Sequence, residues 1–193
     1  MNFKPANIPV NDAQRVKAVK RSGVLDESKT ELYDIYCFLA KEITGCPASW
    51  TGVIDDKKQS VLARDGFPDN IPMEMPREQT LCQFAIENTE PLIINNMTID
   101  HRFRYHRAVV DLAVKFYAAF PVTTTDCYIL GTLCVSDKRV RRLSKNKILS
   151  IGEKIKTLPK AQYMGLIKFK KKDYKLSMEF YKKLKNPKID MTS

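Results

Sequence analysis

The stretch Val114–Lys138, VKFYAAFPVTTTDCYILGTLCVSDK, constrains the fold more tightly than any other part of the chain. Val114–Val122 is almost wholly apolar, Thr123–Asp126 is polar and turn-like, and Tyr128–Val135 is apolar again. Near-continuous apolar runs rich in aromatic and β-branched residues suit central strands that are covered on both faces. Two such runs joined by a short polar turn read as an antiparallel hairpin in the middle of a sheet. Gly131 interrupts the second run and marks either a bulge or the close approach of another group. The rest of the chain must then supply a layer for each side of this hairpin.

Asn11 with Gln14 forms a capping pair for a first helix, whose thin apolar stripe is Ala13, Val16 and Val19 and whose natural end is Gly23. A stronger helix is expected over Ser28–Thr44. Leu32, Ile35, Tyr36, Leu39 and Ile43 recur on one face, and Gly45 and Pro47 stop it. Ala48–Asp55 and Gln59–Arg64 read as two strands around a polar turn, and Asp65–Glu78, with three prolines and a glycine, as an irregular loop. Thr80 caps a short helix to about Asn88, Pro91–Ile94 is a short strand, and Asn95–His106 is a second loop before a short helical piece. After the hairpin, Ser144 caps a helix to about Thr157 with Ile148, Ile151 and Ile155 on one face. Pro159 interrupts it, and Gln162–Lys185 suggests one more helix. The order of elements is that of an α+β fold with a mainly antiparallel sheet.

The 193 residues suffice for one domain with extensions: an arm over 1–9, a domain over 10–158 and a basic helical extension over 159–193. Net charge is +11 but unevenly placed. Residues 1–135 carry 15 Lys and Arg against 17 Asp and Glu, whereas 136–193 carry 18 against 5. Five cysteines without CxxC spacing, mostly in apolar contexts, fit reduced thiols rather than a disulfide framework, and neither His101 nor His106 lies near a cysteine pair to make a zinc site. The first residues show no secretory signal and no apolar run would span a bilayer, so a soluble, cytoplasmic protein is expected.

Four runs, in order, resemble the GAF sensor-domain family, whose architecture is similar to that of PAS domains. Asn11–Asp26 (NDAQRVKAVKRSGVLD) resembles the opening helix "NExxRLxALxxxGILD" of bacterial members, and Arg77–Ile86 (REQTLCQFAI) resembles "REdSfCxxAI". Phe116–Pro121 (FYAAFP) resembles "FYAGAPL", and Leu130–Asp137 (LGTLCVSD) resembles "LGTLCViD". His101–Phe103 stands where the family has an "xRF" run. The resemblance spans roughly Val10 to Leu158. It implies a GAF-like central antiparallel sheet of five or six strands, with helices packed on one face and a pocket on the other beneath the variable loops. Ala119–Phe120 replaces the usual Gly-Ala and adds bulk where a ligand would approach. The asparagine-lysine-phenylalanine-aspartate signature of the cyclic-nucleotide branch is absent. So are the Cys-His dipeptide that anchors a linear tetrapyrrole and the cysteine framework of the free methionine sulfoxide reductases.

Candidate pocket residues are Trp50, Arg77, Cys82, Phe116, Tyr117, Tyr128 and Cys134, with Arg77 as the partner of an anion. Cys82, near the start of a short helix and five residues after Arg77, has some basis for a lowered thiol pKa, although buried core thiols are the plainer reading. His101 and His106 are loop histidines at the rim. No catalytic residue or metal site is expected, and no cofactor is identified. The expectation is a bacterial, stand-alone, non-enzymatic sensory and regulatory domain, thiol redox being the one activity weighed. It would bind a small molecule or a partner protein, dimerise through its terminal helices and pass its state to a downstream signalling protein. The alternative is a protein whose basic C-terminal extension binds nucleic acid or an anionic membrane, with a ligand-free domain as scaffold. The lysine-rich tail, with no arginine after Arg142, argues against base-specific readout.

Overall fold

A computed structural model describes residues 2–25, 30–67 and 71–157. Helix α1 (Asp12–Ser22) and helix α2 (Thr30–Thr44) precede strands β1 (Ala48–Ile54) and β2 (Lys58–Asp65). Strands β3 (Glu74–Pro76) and β4 (Leu92–Ile94) follow, then the short helix α3 (Arg107–Val110), strands β5 (Phe116–Thr123) and β6 (Ile129–Asp137), and helix α4 (Lys145–Thr157). The six strands form one antiparallel sheet in the order β3-β2-β1-β6-β5-β4. The expectation of an α+β fold with an antiparallel sheet of five or six strands is met, with β6 of the hairpin at the centre, between β1 and β5.

Strand periodicity explains why this hairpin is so largely apolar. Phe116, Ala118, Phe120 and Val122 alternate onto the side covered by α1, α2 and α4, where they join Val19, Tyr36, Cys37 and Ile151. Tyr117 and Ala119 face the other way and pack with Trp50, Ile54, Leu81, Cys82, Ile86, Met97 and Phe103. Both faces are covered, one by helices and the other by loops, so the hairpin is buried on both sides, and the polar Thr132 and Ser136 of β6 are buried with it. Each large side chain so buried is worth roughly 1.5–3 kcal/mol.

Gly131 has both of the causes its position suggested. The register between β5 and β6 shifts at Val122/Thr123, and a Cβ on Gly131 would sit 1.9 Å from the Gly52 carbonyl oxygen on β1. Other expectations need correction. Asn11 makes no side-chain cap on α1; the first turn is held instead by Asp12, which ion-pairs with both Arg15 and Arg77. Asp65–Glu78 is not wholly irregular, because Glu74–Pro76 pairs with Lys58–Ser60 as an edge strand. The helix expected after Thr80 shrinks to a 3-10 turn at Cys82–Phe84. Its N-cap is Leu81 rather than Thr80, although the Thr80 hydroxyl accepts from the Gln83 amide at 3.3 Å. Ser144 likewise accepts from the Lys147 amide at 3.4 Å as α4 begins. The arm crosses the loop side: Ala6 N–H donates to Gln83 Oε1 at 3.0 Å, and Phe3 packs edge-on against His106 and Phe84. The proposed helix over Gln162–Lys185 and the whole 159–193 extension lie outside the described residues.

Candidate functional site

On the loop-covered side of the sheet lies a cavity of about 340 Å³, within the size range of small-molecule sites. Its floor comes from β1 and β2 through Trp50, Gln59, Val61 and Arg64; its walls come from Phe67, Ile71, Pro72, Glu74–Pro76, Gln79–Cys82 and the α3 region. Trp50 is clamped between Phe67, edge-on at 4.8 Å, and Tyr117, stacked at 5.8 Å. A β-bulge aims the β2 residues. Thr51 pairs with Ala63 but Gly52 with Val61, so Leu62 is the extra residue, and Val61 and Arg64 come to line the same cavity despite odd spacing.

Gln59 is the unusual member. It is 2% exposed, it lines the cavity, and its Oε1 has no hydrogen-bond partner. An acceptor buried without a partner costs about 1–3 kcal/mol, so its retention at a cavity wall favours an occupant that donates to it.

His106 also lines the cavity and is buried. Its Nδ1 accepts from the Ala108 amide at 3.0 Å and so caps α3, which leaves Nε2–H to donate to the Gln79 carbonyl at 2.9 Å. Burial lowers its pKa from the ordinary histidine value, outweighing the bond to Gln79, and keeps the ring neutral. A histidine whose pKa is depressed by folding contributes stability that is present above the unfolded value and is lost as pH falls. Unfolding free energy is therefore expected to decline below pH of about 6.5, and His106→Gln should flatten that part of the profile. Urea titrations between pH 5 and 7, on the order of the histidine range, would show identical slopes for both proteins if the assignment is wrong.

Behind Trp50 three reactive side chains converge. Strand pairing sets Cys134 opposite both Trp50 and Ala119, and Tyr117 projects from β5 on that same face. Cys82 descends from the 3-10 turn to meet them. The two sulfurs are 3.5 Å apart, and the Tyr117 hydroxyl lies 3.3 Å from Cys82 Sγ and 3.4 Å from Cys134 Sγ. Cys134 donates to Thr132 Oγ1 at 3.0 Å. Burial raises the Cys82 pKa, but the adjacent Cys134 thiol and hydrogen bonds from Thr132, Tyr117 and Trp50 more than offset it and lower the thiol to about 6. Burial and the adjacent Cys82 push Cys134 well above the ordinary range.

The candidates thus separate. Trp50 and Cys82 line the cavity, and Tyr117 and Cys134 lie directly behind them. Phe116 and Tyr128 do not belong there, because they pack on the helix side of the sheet. Arg77 is not a ready anion partner: both its terminal nitrogens bond Asp12, at 2.6 and 3.0 Å. The bulk of Phe120 is likewise harmless to a ligand, since it enters the helical core. Gln59 was missed, and its only signal is a polar side chain at an inward-facing strand position.

No family model matches the sequence. Among curated proteins, the chain is 27% identical over 134 residues to a cyclic di-GMP phosphodiesterase of Pseudomonas aeruginosa; the match covers 69% of this chain but 22% of that protein. Among solved structures it is similar to the GAF domain of an Acinetobacter phosphoenolpyruvate-protein phosphotransferase. That likeness has a TM-score of 0.52 and 13% identity, and covers 90% of this chain and 98% of the other. It is also similar to a type II free methionine-R-sulfoxide reductase of Thermoplasma acidophilum, with TM-score 0.56, 12% identity and coverage of 69% and 91%. These comparisons overturn the expectation of a non-enzymatic chain: the curated relative is named a phosphodiesterase, and a protein of the same fold is a reductase. Among the described residues no helix is long and apolar enough to cross a membrane.

Proposed function

We propose that this chain, which has the GAF-domain fold, is a sensory and regulatory module that binds a small molecule in the cavity above β1 and β2. The observation that carries this reading is the unpartnered Gln59 Oε1 at the wall of a cavity lined by Trp50, Val61, Phe67 and Leu81 alongside polar groups such as Arg64, Glu74 and His106. The matching occupant has an apolar, preferably planar body to lie against Trp50 and Phe67 and a hydrogen-bond donor facing Gln59.

The route from cavity to terminus is physical. Pro76 and Gln79 line the cavity, and Arg77 between them is held by Asp12 at the start of α1. An occupant that shifts the 76–79 segment would move the anchor of α1 and so bias the packing of the terminal helix, to the extent that it binds two states unequally. Dimerisation and a downstream partner belong to this reading. The polyanion-binding alternative falls on residues outside those described.

Gln59→Leu separates occupied from empty cavities. In protein without a ligand it removes a buried unpaired acceptor, and stability is expected to be unchanged or to rise by about 1 kcal/mol. In purified wild-type protein, native mass spectrometry is expected to show a retained small molecule, and the variant to hold roughly a tenth as much. Wild-type protein that carries nothing, beside a variant that is merely more stable, would sink the sensor reading.

A further inference from the structure

We propose that Cys82 and Cys134 form a peroxide-reactive dithiol centre, with Cys82 the attacking and Cys134 the resolving sulfur. Nothing in the ligand-binding reading requires this activity, and it uses the cavity only as a passage.

The roles follow from geometry. Cys82 lines the cavity and Cys134 does not, so a small hydroperoxide entering there reaches Cys82 first. The Cys134 sulfur lies 3.5 Å from that of Cys82, and both residues are buried. The Tyr117 hydroxyl donates to Cys82 Sγ, while the Cys134 proton is directed at Thr132 Oγ1. The cluster thus stabilises negative charge on Cys82 and keeps Cys134 a thiol, as the opposite displacements of their pKa values also indicate. The contrast with Cys37 is instructive. It is equally buried, but burial pushes its thiol up to about 12, and its sulfur is 3.5 Å from the Ala63 carbonyl oxygen, an acceptor.

The chemistry balances in two steps. Cys82 sulfur attacks one peroxide oxygen and the O–O bond breaks. Cys82 becomes a sulfenic acid, and the other oxygen leaves as an alcohol, or as water from hydrogen peroxide, with the proton Cys82 gave up. Cys134 sulfur then attacks Cys82 sulfur, the S–O bond breaks, and water departs with the Cys134 proton. Two thiols have supplied two electrons to the peroxide, and a disulfide remains. It forms by closing a 3.5 Å contact to about 2.0 Å, a small movement for a side chain on a 3-10 turn above a fixed strand. A dithiol reductant restores both thiols by exchange, becoming a disulfide itself.

The test uses folded full-length protein carrying Cys127→Ser, which removes the exposed cysteine. After hydrogen peroxide treatment under native conditions, the expected product weighs less by two hydrogens, yields a linked Cys82–Cys134 peptide and reverts with dithiothreitol. Adding Cys134→Ser should stop the reaction at a Cys82 sulfenic acid that dimedone traps, whereas adding Cys82→Ser should abolish oxidation at Cys134. Unchanged mass with both thiols alkylated only after unfolding would overturn the proposal. So would oxidation of either cysteine to the sulfinic state without a linked peptide. A retained small molecule would block this passage, so the treatment is repeated with Gln59→Leu added, which empties the cavity and leaves both cysteines in place; a dithiol unreactive there too overturns the proposal whatever becomes of the sensor reading.

Discussion

Replacing Gly131 by alanine is expected to destabilise the fold by about 3 kcal/mol or more, a large fraction of the stability of an ordinary domain. The added methyl would sit 1.9 Å from the Gly52 carbonyl oxygen and 2.8 Å from the Gly52 carbonyl carbon and Val53 Cα. These are backbone atoms of the neighbouring strand, so no rotamer change relieves the clash. The β1 and β6 ladders must separate at the centre of the sheet, where Gly52 pairs with Thr132 and Val53 with Gly131. Gly152 supplies the contrast. It lies within α4 with nothing within 4 Å of the position its Cβ would take, so Gly152→Ala is expected to stabilise by roughly 0.5–1 kcal/mol. Urea unfolding of the two variants should move the midpoint in opposite directions. A Gly131→Ala midpoint close to wild type would mean that the strands do not approach as closely as this structure has them.

The hairpin was legible in the sequence because its constraint is local: apolar runs on both sides of a turn leave little choice but a central position. Helix α2 was legible for the same reason, since its buried face repeats at helical spacing. What escaped depends on parity and distance. Phe116 and Tyr117 are adjacent, equally aromatic and on opposite faces, so composition alone placed both in one pocket. The extra residue Leu62 breaks alternation in β2 and brings Val61 and Arg64 to the same cavity, a reversal that no propensity announces. Cys82 and Cys134 were both noticed in the sequence, but 52 residues of chain separate sulfurs that lie 3.5 Å apart. Arg77 was misread because its proximity to a pocket was judged without the carboxylate that claims it. That carboxylate, Asp12, belongs to a helix whose apolar stripe gave no hint that two of its charged residues, Asp12 and Arg15, are buried beside Val16 and Val19.

Arg15→Met is the second change expected to be severe, at about 3–5 kcal/mol. Arg15 is 1% exposed, and its guanidinium ties α1 to the end of β1 and the start of β6. Nε donates to Asp12 Oδ1 at 2.7 Å, Nη1 donates to the Ile54 and Ile129 carbonyls, and Nη2 donates to the Asp55 carbonyl at 3.1 Å. Methionine can fill much of the volume but supplies none of these donors, so buried acceptors at the ends of β1 and β6 lose a partner and Asp12 keeps only Arg77. Because Asp12 bridges both arginines, the losses should not add. Arg15→Met combined with Asp12→Asn is expected to cost less than the sum of the single changes, by about 1 kcal/mol or more. Acid should imitate the same break. Burial raises the Asp12 pKa, but the bonds from Arg77 and Arg15 outweigh it and leave the carboxyl below its ordinary value. A carboxylate depressed by folding contributes stability that is complete above the unfolded pKa, near 3.9, and disappears as pH falls through the folded value. Wild-type protein should accordingly lose stability below pH of about 4 more steeply than Asp12→Asn. Chemical denaturation of both proteins across that range measures the difference, and parallel curves would show that Asp12 is not the group whose charge holds α1 to the sheet.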